Sequence, residues 1–288
     1  MAVKKRGLSG KFIDVFNQTL KQKEWLRKLV DDEDIFCFIR DEYINFYYLG
    51  CSILKLELDN TQWLTGKTHY KYLLNPILEK TKYFKIINSG EYDIKEFPNP
   101  KLQNIHEIKS LKDSTIPHAK PEKVESHEII KKNLNIIDIE IAVGRRSFID
   151  LAAIKKSGEG AEVTFYEVKL LKNKDLRNGR IYGQMQKYSN WIKENRKQLT
   201  EIYLKVCKNS IELERVSKSQ FSDSTRELIK RIANNDIKLS INPEPELIVT
   251  GIDQNKKNDD KWKPYQEELA KKFGERYKQE DNSSDVVL

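Results

Sequence analysis

Along the first sixty residues the spacing of apolar positions changes from helical to strand-like. Phe12, Val15, Phe16, Leu20, Leu26 and Val30 recur at helical spacing with an imperfect phase, and predict a helix over 11–30. Three short runs follow, IFCFIRD (35–41), YINFYYLG (43–50) and SILKLELD (52–59), broken at Asp41-Glu42 and Gly50-Cys51. Their β-branched and aromatic content predicts a small antiparallel meander. Arg40, Tyr43, Tyr47 and Tyr48 within it read either as sheet core or as an exposed basic-aromatic surface. Helical spacing returns over Tyr70–Lys80. From 91 to 122 the chain turns polar and is punctuated by Pro98, Pro100, Pro117 and Pro121. Proline clusters disfavour continuous helix or central strand, so a linker is expected here, with Pro121 in the first turn of the next helix.

The second half has a different order. A helix from Glu122 to about Leu134 precedes NIIDIEIAV (135–143), where Ile137, Ile139 and Ile141 alternate with Asp138, Glu140 and Ala142. Gly144 marks a turn, SFIDLAAI (147–154) is the next strand, Lys155–Glu162 a hairpin loop, and VTFYEVKLL (163–171) reads as a central strand by its apolar run. A basic loop leads to a helix over Arg180–Glu194, with helical spacing continuing through Leu199, Ile202 and Val206. A helix at Thr225–Ala233 and a strand at Glu246–Ile252 close the domain. Tyr265, Leu269, Phe273 and Tyr277, spaced by four, make an apolar stripe that packs on its own domain or on a partner. The expected class is α/β (α+β), a mixed central sheet flanked by helices, preceded by a small α+β domain. The divisions are 1–100, the N-terminal domain; 101–120, a linker; 121–260, the main domain; 261–278, an amphipathic helix; and 279–288, a disordered tail.

Composition narrows the class. Of 288 residues 38% are hydrophobic and 33% charged, enough for a core. No apolar run approaches the roughly 18 residues of a membrane span, and no secretory h-region follows the basic start. Three cysteines without a CxxC pair argue against a disulfide framework or structural zinc, and four histidines form no HxxxH pair. A cytoplasmic protein is expected. The net charge of +8 fits a polyanionic partner or plain solubility. Its distribution is more telling: nine basic residues lie between Lys169 and Lys197, opposed only by Asp175 and Glu194. Lys172, Lys174, Arg177, Arg180 and Lys187 are the candidate nucleic-acid contacts.

The charged positions that interrupt the apolar strands carry the candidate chemistry. Asp150 sits in one strand and Glu167-Val168-Lys169 in the next. Side chains at i and i+2 share a strand face, so Glu167 and Lys169 project together. With Asp150 alongside, two carboxylates and an ammonium make a hard-cation site suited to metal-assisted attack on a phosphodiester. The competing reading is a Glu167–Lys169 pair at a solvated strand edge. Gln184 and Tyr188, four apart, share one helix face.

Asp150, Glu167-x-Lys169 and the Gln184/Tyr188 pair, in that order after a helix and over residues 121–194, resemble the PD-(D/E)xK nuclease superfamily. That superfamily has the restriction-endonuclease-like fold, and Q-x-x-x-Y belongs to its RecB-type branch. Ile149 stands where the eponymous proline would be. The resemblance implies Mg²⁺ or Mn²⁺ on Asp150 and Glu167 with the Val168 carbonyl, Lys169 acting on the attacking water, and Gln184 and Tyr188 orienting groups. It also implies a glutamate from the first helix, Glu125 or alternatively Glu128; Glu140 and, less strongly, Asp138 are further options. The activity implied is a nuclease, on DNA before RNA, in bacterial or phage restriction, antiphage defence or repair. Two alternatives stay open: a retired nuclease fold that binds nucleic acid, and an assembly subunit, homodimeric or with a protein partner. No GxxxxGK[ST] motif is present, so ATP-driven work would need a partner.

Overall fold

The imperfect helical phase near Lys23 becomes a break in the computed structural model of the protein, which describes residues 3–60, 63–69, 72, 83–86, 108–145, 147–251 and 262–288. One helix over 11–30 would carry the Phe12, Phe16 and Leu20 stripe on into Lys23, Glu24 and Arg27. Instead Lys23 takes an extended conformation (φ −107°, ψ 116°) between α1 (Gly10–Gln22) and α2 (Glu24–Asp31). The break resets the phase, and Trp25, Leu26, Leu29 and Val30 are buried. The Ser9 hydroxyl caps α1 by accepting from the Phe12 N–H.

The expected meander is longer than its three runs. β1 (Phe36–Ile39), β2 (Tyr43–Tyr48), β3 (Cys51–Leu58), β4 (Leu64–His69) and β5 (Tyr83–Ile86) form a five-stranded antiparallel sheet in sequence order. Of the aromatic-basic group, Arg40 and Tyr47 are buried. The Arg40 guanidinium lies over the Phe38 and Tyr47 rings (5.9 and 5.7 Å) and donates to the Tyr47 hydroxyl at 3.2 Å. These two are core, not an exposed surface. The helix expected over Tyr70–Lys80 lies outside the described residues except for buried Tyr72.

Within the expected linker 101–120, residues 101–107 lie outside the described part, and the remainder holds α3 (Ile108–Thr115) and a 3-10 turn at Ile116–His118. The polar residues here are absorbed locally. The Ser114 and Thr115 hydroxyls both donate to the Leu111 carbonyl at 2.8 Å, and Lys112 donates to Asp32 and Asp34. Pro117 sits in the 3-10 turn, just past the helix end, where its missing N–H costs little. α4 (Pro121–Lys132) then starts on Pro121, as expected.

The chain forms two compact units. One is Lys5–Lys123 together with Lys205–Gln220; the other is Val124–Leu204 with Phe221–Leu288 and the chain start through Lys4. Residues 205–220, which the sequence assigned to the main domain, thus cluster with the N-terminal part. The pattern over 180–206 is a single helix of 33 residues, α5 (Arg180–Glu212), followed by α6 (Glu214–Gln220).

The second unit is built on a six-stranded mixed sheet of β6 (Ile136–Gly144), β7 (Ser147–Ser157), β8 (Gly160–Leu170), β9 (Leu239–Ile241), β10 (Glu246–Thr250) and β11 (Tyr277–Gln279). The order β11-β10-β8-β7-β6 puts β8 in the middle, antiparallel to β7 and parallel to β10, with β9 pairing its first half. That position explains why VTFYEVKLL is an almost unbroken apolar run: both faces of β8 are covered. The expected loop 155–162 tightens to a turn at Gly158-Glu159, with Gly158 at φ +55°. α5 lies along the face of β8 that carries Phe165, whose ring is 6.0 Å from that of Tyr203. α7 (Asp223–Ala233) packs against β7. Among the described residues no helix is long and apolar enough to cross a membrane.

The C-terminal segment departs from its expected form. α8 (Lys263–Phe273) stops at Gly274, whose φ of +57° suits glycine, so Tyr277 enters β11 instead of extending the stripe. Phe273 stacks on Tyr182 within the same unit at 5.7 Å. Residues 279–288, expected to be disordered, are tied down. Val286 is fully buried, its carbonyl accepts from the Asn133 amide at 2.8 Å, and the Leu288 N–H donates to Asn133 Oδ1 at 2.8 Å. Local composition hid this, because the partner is 153 residues away. Asn133→Leu is expected to destabilise the protein by about 1–3 kcal/mol, the cost of leaving buried backbone groups unpaired, read as a lower urea midpoint. An unchanged midpoint would mean that the tail contributes nothing to stability.

Candidate active site

The β7–β8 ladder pairs Ser157 with Gly160 and continues to Leu151 opposite Tyr166. Beyond that pair the Val168 N–H donates to the Asp150 carboxylate, to Oδ2 at 2.8 Å. A charged side chain has thus entered the ladder, which is why an aspartate is tolerated in this apolar strand. The same register carries Asp150 to the level of Glu167, on the face of β8 that α5 covers.

Glu167 is central. Leu247 of β10 is its parallel neighbour, and the residue is only 2% exposed. Its Oε1 accepts from Lys169 Nζ at 2.5 Å and from Gln184 Nε2 at 2.6 Å. The amide of Gln184 also donates to the Tyr188 hydroxyl at 2.7 Å, and that hydroxyl donates to the Phe148 carbonyl at 2.6 Å. One helix turn of α5 is therefore bonded to β8 through Glu167 and to β7 through Phe148. The structure brings Asp150, Glu167, Lys169, Gln184 and Tyr188 into one network. The strand-edge alternative does not describe it, because Glu167 and Lys169 are both buried.

The electrostatics follow from burial. Desolvation, and then the charge of Asp150, push the Glu167 carboxyl well above the usual carboxylate range, with Lys169 and Gln184 pulling the other way. Tyr188 is pushed up to about 12, by burial first and by the Glu167 charge second, so it remains a phenol donor at neutral pH. Glu167 Oε2 is buried and has no hydrogen-bond partner among the described residues. An unpaired buried carboxylate oxygen is costly. A hard cation between it and Asp150 would remove that cost, so the donor set fits a divalent metal.

The third metal carboxylate is not assembled. Glu125 Oε1 lies 4.0 Å from where a Cβ on Gly251 would be, just past the end of β10. Among the described residues no three His, Cys, Asp or Glu side chains group closely enough to hold an ion. Among the described residues Glu125 and Glu128 are thus not grouped with Asp150 and Glu167. Asp138 turns to a structural role: it is buried, caps the Ile139 N–H at 2.8 Å and accepts from the Tyr203 hydroxyl at 3.2 Å. Glu140 stands across β6 from Asp150, between the pairs Ile139–Leu151 and Ile141–Ile149, with a left-handed φ of +51°. Such backbone strain costs about 1–3 kcal/mol and needs its surroundings to hold it.

The candidate phosphate contacts follow β8 directly. Lys172, Lys174, Arg177, Arg180 and Lys187 are all solvent-exposed, with Arg177 over the Trp262 ring at 5.6 Å. The basic excess is smaller than the sequence count, because Lys169 is paired with Glu167 and Lys193 with Glu244. Sequence reasoning missed Phe148. Its carbonyl holds Tyr188, while the residue remains 45% exposed. The available signal was its place two residues before Asp150, on the same strand face. No protein-family model, curated protein or solved structure matches this chain.

Proposed function

We propose that the chain is a metal-dependent nuclease that hydrolyses phosphodiester bonds, in DNA before RNA, on a PD-(D/E)xK, restriction-endonuclease-like core of the RecB-type branch. One observation carries this reading: a buried Glu167 with an orphaned oxygen beside Asp150, and an ammonium, Lys169, on its other oxygen. Asp150 and Glu167, with the Val168 carbonyl, would hold Mg²⁺ or Mn²⁺. When bound, the cation supplies Lewis-acid neutralisation of phosphoryl charge.

The chain's own groups do the rest. Lys169 sits where its ammonium can hold the attacking water or stabilise charge that develops on phosphate oxygens. Gln184 fixes the Glu167 carboxylate, and Tyr188 fixes Gln184, so the glutamate presents its free oxygen in one orientation. The exposed basic residues 172–187 supply sequence-independent backbone contacts. Such a core suits restriction, antiphage defence or repair.

The test is incubation of the full chain with plasmid, linear duplex, single-stranded DNA and RNA, in Mg²⁺, Mn²⁺ or EDTA. Cleavage in metal and none in EDTA is expected; no cleavage of any substrate in either metal overturns the proposal. The pairing of Lys169 and Gln184 with one Glu167 oxygen favours a second reading, a retired fold in which these groups are structural and that only binds nucleic acid. Salt-dependent binding without turnover in any metal would select it.

A further inference from the structure

Resting on the nuclease reading, we propose that Phe148 is a base-stacking residue, and that the substrate offers an unpaired base beside the scissile phosphate. Phe148 is an exposed aromatic on a strand whose next residue, Ile149, is fully buried. It lies two residues before Asp150 and therefore on the same strand face, about 7 Å along the chain. The β7–β8 pairing stops at Leu151–Tyr166; beyond it the Phe148 carbonyl accepts from Tyr188, whose hydroxyl also accepts from the Gln184 amide that holds Glu167. Across the ladder on β6 its partner is Ala142, too small to cover the ring. No other aromatic ring packs on it among the described residues.

The ring is also held in place. The Tyr188 hydroxyl bonds the Phe148 carbonyl, so the motif that orients Glu167 also fixes the backbone from which the ring projects. A pre-positioned aromatic face next to a phosphodiester site can take up a base only where that base has left its stack. In an intact duplex the neighbouring pairs cover the base faces. An unpaired or frayed nucleotide presents one, and stacking accepts any base because every base has a π-face. The exposed Lys172, Lys174 and Lys187 then track the backbone without reading sequence. The substrate class is single-stranded DNA or a frayed end, with little base preference.

The test uses the full chain and a fluorescein-labelled oligodeoxynucleotide, alone or as a blunt duplex. Cleavage is followed in Mg²⁺ and binding in EDTA, for the parent, Phe148→Ala, Phe148→Leu and Phe148→Trp. Phe148→Ala is expected to raise KM on the single strand about 10-fold with kcat nearly kept, since stacking contributes equally to ground and transition states. Phe148→Trp recovers the parent value and Phe148→Leu does not. Unchanged melting temperatures show that all variants fold. Parent-like behaviour of Phe148→Leu, or an equal loss on single strand and duplex, overturns the stacking role and leaves the nuclease reading standing. Absence of cleavage by the parent, with binding that weakens in Phe148→Ala and recovers in Phe148→Trp, overturns the nuclease reading and leaves stacking standing. Neither binding nor cleavage overturns both.

Discussion

Lys169→Met is expected to cut metal-dependent cleavage by about 10²–10⁴-fold, the range for removing a group that handles the reacting proton, and Asp150→Ala by about 10³-fold or more. Methionine keeps an unbranched stem of similar length and removes only the ammonium that lies 2.5 Å from Glu167 Oε1. The two substitutions reach the same network from different sides. Asp150 is a prospective cation ligand that also caps the Val168 N–H, whereas Lys169 donates to the Glu167 carboxylate. The measurement is kcat on the best substrate at saturating Mg²⁺, with circular dichroism melting to establish that each variant is folded. Cleavage at the parent rate by either variant would place the activity elsewhere on the chain.

In EDTA the protein is expected to lose stability as pH rises from about 5 to 9, and Mg²⁺ is expected to reverse that trend. Glu167 has its carboxyl raised well above its ordinary value of 4.5 by burial and by the charge of Asp150. The folded chain therefore keeps a proton that the unfolded chain has released. The resulting stabilisation is fully present below about 4.5 and is lost as pH climbs through the raised folded value. A fall in Tm across that range is therefore expected. A cation requires both carboxylates ionised, so its contribution runs the other way and grows with pH. Glu167→Gln removes the titrating group and should flatten both curves. Thermal melts from pH 5 to 9 with EDTA or Mg²⁺ decide the matter. A Tm increase with Mg²⁺ that is the same at both ends of the range, or that persists in Glu167→Gln, counts against metal at this site.

Much of the site was legible in the chain because strands translate sequence spacing directly into geometry. Glu167 and Lys169 had to share a face, and their apolar neighbours meant that a charge there needed a partner. Gln184 and Tyr188 had to share a helix face, whatever they contacted. The β6, β7 and β8 runs were equally visible, since alternation or an apolar run states which faces are covered. The misses are of another kind. Asp138 alternates with isoleucines as an outward residue should, yet it is buried because Tyr203, 65 residues on, supplies its hydrogen bond. The tail reads as disordered by composition and is held by Asn133. Glu125 sits on the right helix, but helix position alone does not say where its carboxylate ends.

The sequence by itself determined the local elements and the pairwise juxtapositions that follow from periods of two and 3.6 residues. It specified a mixed α/β chain in which two strands carry the carboxylates and a later helix carries the glutamine and tyrosine. Only the tertiary structure decided which side chains converge. It closed Gln184 onto Glu167, left Oε2 without a partner, put Tyr188 on the Phe148 carbonyl, and kept Phe148 exposed. The physical reason is that burial and hydrogen bonding are properties of neighbours from distant parts of the chain. A periodicity can state that a face is covered, but only the packed chain states by what.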